Sequence, residues 1–217
     1  MKKPNPWIIL TLSTLVMMSC AIPTANLAAI GKTANTPGPG VATADPLAAA
    51  SLQLSDLPSG YHVLTQEELT TIGVSPQMIS DGLAKVLPDT QVKNLTLFGN
   101  TDTNGSNVVV SFLIAPLNLG EGLIADQLLK NPESLLSAVA GAADATVTPL
   151  ADMPSLGNKT AGVHITAGNM QQDIILARHG SVLEVVAVTT QSGSQAPLSI
   201  KDLASLLDGR VAKALGK

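Results

Sequence analysis

The chain has 217 residues, of which 45% are apolar and 13% charged, with a formal net charge of −4. That is enough for one ordinary domain and a processing segment, with an aliphatic core, because the aromatic residues (Trp7, Tyr61, Phe98 and Phe112) make up only 2%. Two arginines and so few aromatic faces exclude a base-stacking nucleic-acid groove, and the single cysteine, Cys20, excludes a disulfide framework and any multi-cysteine zinc or iron–sulfur site.

The N-terminus reads as a targeting signal. Lys2 and Lys3 form a positive start, and the apolar run from Trp7 to Met18 is too short to span a bilayer comfortably. The run ends in Val16-Met17-Met18-Ser19-Cys20. This resembles the lipobox of bacterial lipoproteins: an apolar residue three before the cysteine, a small one directly before it, then the cysteine. The resemblance implies that residues 1–19 are a signal peptide, and that Cys20 is lipidated (with palmitate among its acyl chains) and becomes the first mature residue. Loss of Lys2 and Lys3 takes the net charge from −4 to −6. Ala21 after the cysteine implies, by the same likeness, sorting to the outer membrane if the cell has one. Residues 20–48, rich in Ala, Thr, Pro and Gly, are expected to form a flexible tether, and 49–217 a single domain.

Within the domain, Leu52 to Gly60 leads in through turn residues. Thr65-Gln-Glu-Glu68 has the capping-box pattern and opens a short helix to about Ile72. Ser75-Pro76 starts a second, with Ile79, Leu83, Val86 and Leu87 on one face before Pro88. Val92 to Phe98 and Asn107 to Ala115 flank a turn-rich tip and read as a hairpin, the second strand apolar enough to be central. Leu123 to Leu129 is helical, Asn131-Pro132 caps a further helix through Leu135, Leu136 and Val139, and Ala145 to Thr148 is a short strand.

A meander then follows: Thr160–Ala167, a Gly168-Asn169 turn, Gln171–Ala177, a turn at His179-Gly180, and Ser181–Thr189. Period-two alternation and two-residue turns put Val163, Ile165, Ile174, Leu176, Leu183, Val185 and Ala187 on one face. His164, Asp173, Ile175, Glu184 and Val186 fall on the other. Ser199 caps a last helix with Ile200, Leu203, Leu207, Val211 and Ala214 on one side, expected to cover the first face. The fold class is α+β: an antiparallel sheet made of a hairpin and a three-stranded meander, covered by amphipathic helices and ending in a C-terminal helix.

Chemistry-bearing patterns are few. Arg178-His179-Gly180 resembles the motif of the histidine phosphatases and phosphoglycerate mutases. There it opens the domain and is followed by a second arginine and histidine, whereas only 37 residues follow Gly180 here, with no histidine; a phosphoryl group needs several donors, so this reads as an ordinary turn. His164, Asp173 and Glu184 share a strand face and are weak candidates for a divalent metal or a general base, against a polar surface patch. Asp102-Thr-Asn-Gly-Ser106 starts like a calcium loop, but position twelve is Leu113 where a glutamate is required. Asn94, Asn104 and Asn158 sit in glycosylation-type triplets, read as incidental in a bacterial lipoprotein, and no Gly-x-Ser-x-Gly elbow accompanies His62, His164 or His179.

The expectation is a membrane-anchored extracytoplasmic lipoprotein of the cell envelope acting as a non-catalytic binding or accessory module. No catalytic residue, cofactor or metal is expected, nor any nucleic-acid partner; the partners are the membrane, through Cys20, and an envelope protein. The alternative is a carrier of a lipid or other hydrophobic ligand, and behind it an enzyme or metal-binding protein using His164 and Asp173.

Overall fold

A computed structural model of the chain describes residues 45–71, 75–84, 87, 89–100, 107–132, 145–191 and 199–217. The signal peptide, Cys20, nearly all of the tether, the 101–106 tip and the helix expected through Leu135, Leu136 and Val139 lie outside the described residues, as do Ile72, Val86 and Pro88.

The strands are β1 (Tyr61–Val63), β2 (Gln91–Asn100), β3 (Asn107–Ala115), β4 (Thr146–Pro149), β5 (Lys159–Ala167), β6 (Met170–His179) and β7 (Val182–Gln191). They form one seven-stranded sheet in the order β1-β2-β3-β7-β6-β5-β4, every neighbouring pair antiparallel. Four α-helices accompany it among the described residues: α1 (Gln66–Thr71), α2 (Pro76–Ala84), α3 (Leu119–Lys130) and α4 (Ile200–Ala214). The class is α+β.

Local chemistry sets the helix starts. Thr65 Oγ1 accepts from the Glu68 N–H while Glu68 Oε2 accepts from the Thr65 N–H at 2.8 Å, the reciprocal cap expected of that pattern. Pro76 occupies the first position of α2, where its missing N–H costs nothing. α3 begins a turn earlier than its apolar pattern suggests, because Asn118 and Glu121 form a second capping box. Ser199 stands at the N-cap of α4 without a side-chain cap bond.

β3 is buried along its whole length between β2 and β7, as its continuous apolar run requires. Each face of the sheet carries its own apolar cluster. Val163, Ile165, Ile174, Leu176, Leu183, Val185 and Ala187 gather with Leu69 of α1, Ile79 of α2, and Ala125 and Leu129 of α3. The opposite face gathers Ile175, Ala177, Val182, Val186 and Val188 with Ile200, Leu203, Leu207 and Val211 of α4. The C-terminal helix was expected on the first face and packs on the second. Alternation tells which residues share a face; it does not tell to which side a later helix crosses when both faces are apolar. Burial of those four α4 side chains contributes about 1.5–3 kcal/mol each.

The last residues of the expected tether, from Asp45, are not loose but dock beside α4 together with the segment that follows. Leu47, Ala50, Leu52 and Leu57 are buried in the second cluster. A bulge in β2 between Lys93 and Thr96 puts Asn94 at φ 53, a left-handed conformation that asparagine tolerates. Its amide donates to the carbonyls of Leu47 and Ala50, the latter at 3.0 Å, while Lys93 Nζ pairs with Asp45 at 2.6 Å. The Asn94 amide is thus committed to backbone carbonyls, which leaves its glycosylation-type triplet without a free acceptor.

Candidate functional site

The register of β5 and β6 sets His164 directly opposite Asp173. His164 Nδ1 lies 2.6 Å from Asp173 Oδ1, and Nε2 lies 3.1 Å from Thr166 Oγ1. Both ring nitrogens are therefore engaged, and both side chains are one-third exposed. This is a hydrogen-bonded cross-strand pair on a wet part of the sheet.

Glu184 does not join it. The β6–β7 turn is Gly180-Ser181, with His179 still in the strand and paired with Val182. The expected turn, His179-Gly180, fails because a primed two-residue turn would put φ above zero at its first residue. Glycine does this freely, and Gly180 sits at φ 60. Moving the turn by one residue slides the register by two, which leaves the faces unchanged. Glu184 comes to lie opposite Ala177, four residues along β6 from Asp173 and two from His179.

The site that forms there is His179, Glu184 and Asp208. Strand β6 ends in His179, β7 begins near Glu184, and both point to the α4 side, where Asp208 stands one turn after Ala204 and one before Val211. His179 Nε2 lies 2.7 Å from Asp208 Oδ1 and 3.6 Å from Glu184 Oε2. Taken one atom from each residue, the donors lie within 4.8 Å of one another. His179 is 4% exposed and Glu184 1%. Among the described residues neither Glu184 oxygen has a hydrogen-bond partner, which is costly for a buried carboxyl.

A loop closes over the group. Leu156 is buried, and its N–H and carbonyl both bond the Thr160 hydroxyl, at 2.9 and 2.6 Å. The Gly157 N–H donates to Asp208 Oδ1 at 2.7 Å. Gly157 has φ 53, and a Cβ there would stand 2.3 Å from the Arg178 carbonyl oxygen and 3.2 Å from His179 Cδ2. Only a glycine lets the loop rest on the imidazole this closely.

The electrostatics follow from this geometry. Glu184, ahead of Asp208, pushes the His179 imidazole up from its ordinary value against the desolvation that opposes it. Burial pushes the Glu184 carboxyl up, with His179 pulling the other way. An imidazole and two carboxylates can relay a proton or hold a cation. His179 is buried with Gly157 resting on its ring, so a substrate would have to open this packing to reach it.

The Arg-His-Gly triplet is divided by the sheet. Arg178 points to the opposite face, where its Nη1 donates to the Gly122 carbonyl at 2.9 Å and pairs with Asp126, and its Nε bonds the Gly180 carbonyl at 2.8 Å. Arginine and histidine do not converge on one phosphate-sized space. Asp208 was absent from the candidates that the sequence offered, although an aspartate within the stripe Ala204-Leu207-Val211 is the signal for it, as is a glutamate inside Leu183-Glu184-Val185-Val186. No protein-family model matches the chain, and no curated protein matches it significantly.

Proposed function

We propose that the chain is a membrane-anchored extracytoplasmic lipoprotein whose folded domain is a non-catalytic binding module for an envelope protein. The lipobox-like run ending at Cys20 and the Ala/Thr/Pro/Gly tether support the anchor. The domain is read as a hairpin and a meander under amphipathic helices, a rigid platform at the end of a tether.

The observation that carries the binding reading is the outer side of α3. Leu119 is 87% exposed, Leu123 62% and Ile124 39%. Leu119 and Leu123 stand one turn apart on one side of the helix, whose other side buries Ala125 and Leu129. Single exposed aliphatics are ordinary, but Leu119 and Leu123 side by side, with Ile124 at their flank, make an apolar patch of the kind that partners cover.

The test has two parts. Metabolic labelling with an alkyne-bearing palmitate should mark the wild type, and Cys20→Ser should abolish the label and release the chain from membranes. A photocrosslinking residue at Leu123 of the full-length chain in the bacterial envelope should give one discrete protein adduct, lost on Leu119→Asp. The same crosslinker at the exposed Ser205 of α4 should give none. Lipid adducts at Leu123 in place of protein would overturn the reading in favour of a hydrophobic-ligand carrier.

A further inference from the structure

We infer that His179, Glu184 and Asp208 form a binding site for one divalent first-row transition metal, with zinc as the best-fitting probe. The site lies apart from both the anchor and the exposed side of α3. Three separate elements each supply a ligating group to one small volume: β6 an imidazole nitrogen, β7 and α4 a carboxylate oxygen. A mixed nitrogen and oxygen donor set of this kind suits zinc and its neighbours better than calcium or magnesium, which favour oxygen alone.

The ligand is indicated by Glu184. Its side chain is buried between the sheet and α4, and among the described residues neither oxygen has a hydrogen bond. A carboxylate kept there and aimed at an imidazole and a second carboxylate is explained by a cation between them. Asp208 Oδ1 also accepts from the Gly157 N–H at 2.7 Å, the kind of outer hydrogen bond that holds a ligating carboxylate in place.

The spacing is close to what is needed. Tetrahedral zinc with bonds of 2.0–2.2 Å sets its donors about 3.4 Å apart. The 3.6 Å from His179 Nε2 to Glu184 Oε2 fits that figure, the 2.7 Å to Asp208 Oδ1 would open to it on metal binding, and the three donors start within 4.8 Å of one another. Three protein ligands leave a fourth position open, and because they come from β6, β7 and α4 a bound ion would tie the sheet to the helix.

The experiment uses the full-length chain, extracted in mild detergent and purified with neither chelator nor a metal-affinity column. Elemental analysis should find about one transition-metal equivalent per chain. After chelation and desalting, titration with zinc chloride should show one saturable site and raise the thermal midpoint, and cobalt should give a visible absorption band of a low-coordinate nitrogen and oxygen site. Asp208→Asn, at a partly exposed position that tolerates a polar isostere, should weaken zinc binding at least about tenfold. Glu184→Gln should do the same, and His164→Ala should leave binding unchanged. Zinc bound equally by Asp208→Asn and Glu184→Gln would overturn the inference. So would a wild-type chain whose thermal midpoint is unmoved by chelator and by zinc and which shows no titration.

Discussion

Arg210 of α4 grips Asp56 with both arms of its guanidinium, Nη1 to Oδ2 at 2.6 Å and Nη2 to Oδ1 at 2.8 Å. Nη1 also donates to the Ser51 carbonyl at 2.6 Å. One side chain therefore ties the last helix of the domain to the segment through which the tether enters it. Burial raises the Asp56 carboxyl, but the bonds from Arg210 and the Gln53 N–H outweigh it and hold the group below its ordinary range.

Arg210→Lys should expose what the fork is worth. Lysine keeps the charge but cannot bond both oxygens and a carbonyl in one plane. A loss of about 1–2 kcal/mol is expected, measured by urea denaturation. Asp56→Asn should cost a similar amount, and the double variant less than the sum, since both remove the same contact.

Gly209 lies on the exposed side of α4, and a Cβ added there meets nothing within 4 Å. Gly209→Ala should therefore stabilise the domain by about 0.5–1 kcal/mol through helix propensity alone. A rise in the thermal midpoint is the readout. An unchanged or lower midpoint would mean that something covers this side of the helix.

Gly157 and Gly180 share a left-handed backbone but not their surroundings. Gly180→Ala meets nothing within 4 Å and should cost about 1–2 kcal/mol for its positive φ. Gly157→Ala adds a clash with the Arg178 carbonyl and pushes on His179, so its loss should exceed that of Gly180→Ala. The order of the two denaturation midpoints checks the packing of the loop over the buried site.

Glu68 supplies the acid-sensitive cap. Bonds from the Thr65 backbone, then from His62 and the Thr65 hydroxyl, hold its carboxyl at about 2, below its ordinary 4.5. A depressed folded value means that its contribution is fully present above pH 4.5 and is lost as pH falls from there toward 2. An NMR titration of the Glu68 side chain should show the low midpoint. Thr65→Ala removes the hydroxyl bond but keeps the backbone one, so it should raise the midpoint only part of the way, at a cost of about 1 kcal/mol from the lost cap.

How far the site could be read from the chain depends on which distances mattered. The pairing of His164 with Asp173 follows from a turn at Gly168-Asn169 and simple counting. The buried cluster depended on a one-residue choice at the next turn, and that choice moved Glu184 from the neighbourhood of Asp173 to that of His179. A local error of one residue was enough to misassign it, even though every residue was put on its correct face.

The sequence alone determined whatever is periodic or local: α+β class, the caps at Thr65 and Pro76, the burial of β3, and the sorting of β5, β6 and β7 into two faces. These rest on side-chain alternation and on backbone hydrogen bonds made within a few residues. Only the tertiary structure decided that α4 crosses to the face bearing Glu184, that Asp208 thereby meets His179, and that Asn94 and Arg210 clasp the incoming segment. Those contacts join residues up to 159 apart in the chain. Their geometry depends on how whole elements stack, and the two apolar faces were equally open to the helix until the chain closed.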